Sequence, residues 1–155
     1  MSIQVKVTSN LGTFLNALDT QIEAALVDIG QQCEGHAKQE IENSPKRIDT
    51  GLLRNSITYA VDGQPPATKS YKGDNPPRAN PKGPIPEGSY SGSAPKAKKD
   101  QRCVYVGTNV EYAIYVHDGH LSPNGKLIPG NKFIKNAVTN NSGEYEAIAK
   151  EHLEG

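Results

Sequence analysis

Leu11, Leu15, Leu18, Ile22, Ala25, Ile29, Cys33, Ala37 and Ile41 recur at spacings of three and four. That spacing predicts one amphipathic helix of about 30 residues, ~45 Å long at 1.5 Å per residue. Gly12, Gly30 and Gly35 weaken it locally, and Ser44-Pro45 forbids its continuation, because a residue before proline is driven out of the helical region. Ahead of it, Ile3, Val5 and Val7 alternate with Gln4 and Lys6, which predicts a short half-buried strand. Thr8-Ser9-Asn10 then offers side-chain oxygens to cap the helix.

A second short element opens at Asp49-Thr50-Gly51, where Asp49 or Thr50 is placed to accept amide hydrogen bonds from a first turn over Leu52-Leu53-Arg54-Asn55-Ser56. Ile57, Tyr59 and Val61 alternate with Thr58 and Ala60, a strand pattern. Cys103-Val104-Tyr105-Val106-Gly107 reads as another strand, and Tyr112-Ala113-Ile114-Tyr115-Val116 as either a strand or one helical turn. Residues 118–131 read as a glycine- and proline-punctuated loop. Phe133, Ile134, Ala137 and Val138 begin a helix that Asn140-Asn141-Ser142-Gly143 interrupts before Tyr145, Ile148, Ala149 and Leu153 resume it. The expected fold is α+β: a long N-terminal helix and a C-terminal helix packed on a small, mainly antiparallel sheet.

Between the two strand patterns the composition changes. Residues 64–100 hold eight of the eleven prolines, four glycines, and seven basic residues against three acidic. That stretch has too little apolar surface to build a core of its own, and it reads as an extended or disordered arm inserted between two strands. Its local charge is +4; the chain is neutral, with 17 Lys+Arg and 17 Asp+Glu, so the remainder carries about −4. The 155 residues are otherwise sized for a single domain, 1–155. Hydrophobic residues are 35% and Trp is absent, so the core is modest. No run approaches the ~18 apolar residues of a membrane span, and the first residues lack the apolar stretch of a signal peptide. The reading is of a chain made in a cytoplasm, without membrane contact, whose Cys33 and Cys103 are small buried thiols.

Candidate chemistry is sparse. His117-Asp118-Gly119-His120 alone clusters metal-ligand residue types, and three ligands within four residues rarely wrap one ion. Cys33 lies inside a helix rather than at a helix N-terminus, where a thiolate is stabilised. The glycines at 83, 88 and 92 lack the flanking pattern of a phosphate loop, and Glu40/Glu42 and Glu144/Glu146 read as solvated helix faces. No enzyme, metal or cofactor is expected. The basic arm, through Lys69, Lys72, Arg78, Lys82, Lys96, Lys98 and Lys99 with Tyr71 and Tyr90 interleaved, has the composition to meet an acidic partner or nucleic acid.

Three segments, in order, resemble a family. Ile48-Asp49-Thr50-Gly51-Leu52-Leu53-Arg54-Asn55-Ser56-Ile57 resembles a first block, P-x-D-T-G-x-L-R-x-S-I. The run from Val104-Tyr105-Val106-Gly107-Thr108 to Tyr112-Ala113-Ile114-Tyr115-Val116, with Gly119 beyond it, resembles a second, V-x-V-G-T-x-x-x-Y-A-x-Y-V-E-x-G. Gly130-Asn131-Lys132-Phe133-Ile134-Lys135-Asn136-Ala137-Val138 resembles a third, R-P-F-L-x-P-A-L. These are the blocks of the head–tail joining, or tail-completion, neck proteins of long-tailed phages and prophages, related to lambda minor tail protein Z. The chain departs from the pattern at His117-Asp118, where the family has an acidic residue, and at Asn131-Lys132, where it has Arg-Pro.

The resemblance implies a non-enzymatic virion component of the neck, assembled in the host cytoplasm. It implies a homo-oligomeric ring between a head-completion or connector protein and the tail terminator, with transient contact to passing DNA. Asp49, Thr50, Gly51, Leu53, Arg54, Ser56, Gly107, Thr108, Tyr112, Ala113, Tyr115, Val116, Gly119 and Phe133 would then be scaffold and interface residues. Read from the residues themselves, Gly51 permits a tight backbone entry, Leu52 or Leu53 buries a face with Ile57, and Arg54 is left outward for a carboxylate or a neighbouring subunit. Gly107-Thr108-Asn109 is expected to turn the chain so that Tyr112 and Tyr115 come back onto the sheet. Two other classes remain as alternatives: a nucleic-acid-binding accessory protein using the arm, and a metal-dependent hydrolase centred on His117, Asp118 and His120.

Overall fold

The computed structural model describes residues 2–44, 51–61, 69–72, 87–90, 102–108 and 110–155; of residues 2–14, 69–72 and 87–90 it gives the backbone alone. Helix α1 (Ser2–Glu42) runs 41 residues, about 60 Å at 1.5 Å per residue. The strand expected at Ile3–Val7 is therefore helix, and Thr8-Ser9-Asn10 lies inside α1 rather than at its start. The sequence contains the reason. Ile3, Val7 and Leu11 stand four apart and continue the helical stripe, and a helix closes its own hydrogen bonds where a strand needs a partner. At the other end, the amides of Asn43 and Ser44 donate to the carbonyls of Gln39 and Ile41, at 2.9 and 3.0 Å, and the helix stops before the Ser44-Pro45 step.

Among the described side chains of α1, those from Ala25 onward reach the core. Leu15 is exposed and Leu18 and Ile22 are half-buried, whereas Ala25, Gly30, Cys33, Ala37 and Ile41 are buried. Four of those five are small, and small residues let neighbouring elements approach closely. At Gly30 a Cβ would stand 2.5 Å from Tyr59 Cδ2 and 2.9 Å from Val104 Cγ2. The elements resting there are β1 (Thr58–Val61) and β4 (Val104–Gly107), an antiparallel pair in register Thr58↔Gly107 to Val61↔Val104. Ahead of β1, α2 (Leu52–Ser56) buries Leu52, Leu53 and Ser56.

The arm between β1 and β4 is not wholly irregular. It contains β2 (Lys69–Lys72) and β3 (Glu87–Tyr90), paired antiparallel from Lys69↔Tyr90 to Lys72↔Glu87, and β2 passes beside α2. A two-stranded ladder satisfies its backbone groups across the pair and needs no core for that. The remainder of 64–100 lies outside the described residues.

The residues at 112–116 take the helical alternative: α3 (Ala113–Asp118) follows a turn in which the Ala113 amide donates to the Val110 carbonyl at 3.0 Å. The loop expected at 118–131 folds instead as a hairpin of β5 (Gly119–Leu121) and β6 (Leu127–Pro129). Its glycine and proline punctuation makes the turn between the strands. The Ser122 amide donates to the Lys126 carbonyl at 2.9 Å, and the Gly125 amide donates to the Ser122 carbonyl at 2.8 Å. Helix α4 (Phe133–Asn140) ends at Asn141, whose side-chain amide donates to the Ala137 carbonyl at 2.9 Å, and α5 (Ser142–Glu154) resumes beyond it. The fold is thus α+β, with three separate two-stranded antiparallel ladders among the described residues where one small sheet was expected.

One hydrophobic core joins these pieces. Cys33, Ala37 and Ile41 of α1 meet Leu52, Leu53 and Ile57, then Val110 and Ala113, then Phe133 and Ala137. Phe133 is wholly buried, and Val106, Val116, Ile134 and Tyr145 pack around the cluster.

Candidate functional site

The three sequence blocks, far apart in the chain, come together around that core. Ser56 Oγ donates to the Leu53 carbonyl at 2.8 Å, which closes α2, and it also meets Thr108 Oγ1 of the second block. Thr108 Oγ1 in turn accepts the Val110 amide at 3.2 Å. Phe133 of the third block belongs to the same buried cluster as Leu52, Ile57 and Ala113. Gly107, opposite Thr58 in the β1–β4 ladder, is buried.

Individual positions depart from the expectations. Gly51 precedes α2 with φ 80°, a left-handed conformation that favours glycine, and the Asn55 amide donates to its carbonyl at 3.0 Å. It is the N-cap itself; Asp49 and Thr50, the expected caps, lie outside the described residues. Arg54 does not point outward. Its side chain is 18% exposed, with Nη1 at 3.3 Å from Glu42 Oε1 at the end of α1 and Nε donating to Asn55 Oδ1 at 3.1 Å. The guanidinium ties α2 to the last turn of α1. One carboxylate partner of Arg54 is thus in its own chain.

Tyr112 and Tyr115 do not fold back onto a sheet either. Both are exposed, because a helix puts Ala113 and Val116, three apart, on the inward face and turns Tyr112 and Tyr115 away. Tyr115 lies edge-on to His120 of the hairpin, ring centroids 5.9 Å apart. Gly119 joins α3 to β5 with φ 89°. A Cβ there would stand 2.5 Å from the Ile128 carbonyl oxygen, so a larger residue would collide with backbone as well as strain it.

His117 and Asp118 are bonded to each other, whereas His120 has its ring against Tyr115. His117 Nδ1 donates to Asp118 Oδ1 at 2.7 Å, a proton position that leaves Nε2 to accept the Lys135 amide at 3.4 Å. Lys132 Nζ stands 2.7 Å from the same carboxylate oxygen. The Lys132 ammonium, first, and then His117 hold the Asp118 carboxyl below its ordinary range. His117 also lies edge-on to the Phe133 ring at 5.1 Å. Among the described residues no three His, Cys, Asp or Glu gather to hold an ion. Lys69 and Lys72 of the basic set lie on β2; Arg78, Lys82, Lys96, Lys98 and Lys99 are outside the described residues.

Two arrangements had no counterpart in the sequence pattern. The first is a polar joint between α1, α4 and α5. Tyr145 Oη donates to the Ala137 carbonyl at 2.8 Å, so His36 Nδ1, also at 2.8 Å, donates to Tyr145 Oη. His36 Nε2 faces Glu144 at 3.4 Å, and nearby Cys33 has its thiol pushed up by burial. These partners are over a hundred positions apart, which no local spacing reveals. Burial works against the thiolate form of Cys33.

The second arrangement is an exposed apolar surface. Leu121 and Leu127, directly opposite each other across the hairpin, are 67% and 66% exposed, and Ile114 on α3 is 60% exposed. Beside α3 an open, mostly apolar groove of about 390 Å³ has Thr108, Ile114, Asp118, Phe133 and Ile134 among its lining residues. Two leucines flanking Pro123-Asn124-Gly125 are a hairpin signal that the sequence does contain.

No family model, curated protein or solved structure matches this chain.

Proposed function

We propose that this chain is a non-enzymatic structural subunit of the neck of a long-tailed phage or prophage, joining or completing the tail on the DNA-filled head. In this reading it forms a ring of identical copies between a head-completion or connector protein and the tail terminator, and DNA passes through the bore. One observation carries the reading. The three motif blocks pack into one core, while the outer side of the second block and the hairpin that follows it leave Ile114, Tyr115, Leu121 and Leu127 apolar and exposed. Monomeric proteins rarely leave several large apolar side chains together in water, and such surfaces mark interfaces. A scaffold with an exposed apolar surface is suited to assembly. The test is genetic: interrupting the gene should yield filled heads and finished tails that stay separate, and adding the purified chain should join them. Normal particle yield without the chain would defeat the proposal.

A further inference from the structure

Helix α5 is held differently from the helices before it. It buries no residue, whereas α4 buries Phe133 and Ala137. Its inner face is Tyr145, Ile148, Ala149 and His152, all half-buried, at the three- and four-residue spacing of one helical stripe. Among the described residues, Tyr145 is the one of these that packs against the core cluster, and it is hydrogen-bonded to Cys33. Polar pairs fasten both ends of α5 to α1. His36 bonds Tyr145 Oη and faces Glu144 at 3.4 Å, and toward the other end His152 Nε2 donates to Asp28 Oδ2 at 2.6 Å. An open cleft of about 690 Å³ has Asp28 and Gln31 of α1 and Ile148, Glu151 and His152 of α5 among its lining residues. Water reaching that cleft competes for the His152–Asp28 pair, whose side chains are 29% and 50% exposed.

We propose that α5 is a lid over Cys33: it lifts from α1 as one unit while the core stays closed, and the Cys33 thiol becomes reachable in that open state. The inference goes beyond the assembly reading and does not depend on it. Elements with few buried apolar contacts and exposed polar ones open at less free energy than global unfolding requires, and α5 meets both conditions. The core does not need the lid. Its wholly buried side chains Ile41, Leu52, Ile57 and Phe133 come from α1, α2, the start of β1 and α4, and none from α5. Asn141 closes α4 with its own side chain, so the last turn of α4 is capped whether or not α5 is down. Cys33 is 4% exposed, so a reagent meets it only when a neighbour moves, and Tyr145 is a bonded neighbour on the loosely held element.

Thiol labelling reads the opening. With Cys103→Ser in the full chain, Cys33 is the one remaining cysteine, and dithiobis-nitrobenzoate reports its reaction. The rate should be nearly flat in low urea, because local opening exposes little new surface. His152→Ala removes the bond to Asp28 and should speed labelling about two- to fivefold. Val61→Ala, buried on β1 outside the cluster that holds Cys33, should lower the melting temperature and leave the labelling rate unchanged. Hydrogen exchange gives a second readout. A 13-residue helix alone is marginal in water, so the α5 amides should exchange together while α1 amides around Cys33 and Ala37 stay protected. Labelling with the steep urea dependence of global unfolding, or a rate that follows Val61→Ala and ignores His152→Ala, would overturn the lid. Exchange of α5 residue by residue from its end inward would overturn it as well.

Discussion

At the residue scale, the informative positions are those whose partner is distant in sequence. Asp118 stood out in the sequence as a metal-ligand type, and its environment turns it into the anion of an ion pair with Lys132. The carboxyl pKa is depressed in the fold, so the pair's contribution is present above the unfolded carboxylate value and is lost as pH falls through the lower folded value. An NMR titration should therefore place the Asp118 midpoint below the ordinary ~3.9, and Lys132→Ala should move it back up. A midpoint unmoved by Lys132→Ala would show that the lysine is not the cause. Arg54 carries the same lesson: its residue type and motif position were legible, but its partner Glu42 was not. The first belongs to the block; the second depends on where α1 ends.

Among the elements, periodicity predicted most of the helices and failed where it was short. The stripe from Leu11 to Ile41 gave α1, while the Ile3-Val5-Val7 alternation was too brief to outweigh the four-residue spacing that links Ile3, Val7 and Leu11. The break between α4 and α5 at Asn141 was legible, since Asn-Asn-Ser-Gly is local chemistry. The β5–β6 hairpin was written in its turn residues but masked by reading the whole stretch as a loop. Gly30 read as a weakness in α1 and is in fact its contact with the β1–β4 ladder. Gly30→Ala pits about 1 kcal/mol of gained helix propensity against about 1–3 kcal/mol for forcing a methyl into the Tyr59 ring and Val104. The contact should win, giving a net loss of about 1 kcal/mol in urea melts. A more stable variant would mean the ladder yields freely at that point.

Across the whole molecule, fold class and core were legible because they follow from pattern, and the outer surface was not. Tyr112 and Tyr115 were expected to return to a sheet, but α3 turns them outward, and beside them the hairpin exposes Leu121 and Leu127. The chain buries Phe133 completely and leaves large apolar side chains exposed on this side, the kind of surface that marks interfaces. The central claim is that its cover belongs to other subunits at the junction of head and tail. The measurement that bears on it most directly is electron microscopy of purified virions with this chain labelled by an antibody fragment. The account predicts label confined to the neck, in several symmetry-related copies per particle. Label absent from the particle, or found along the tail tube or on the capsid, would contradict it.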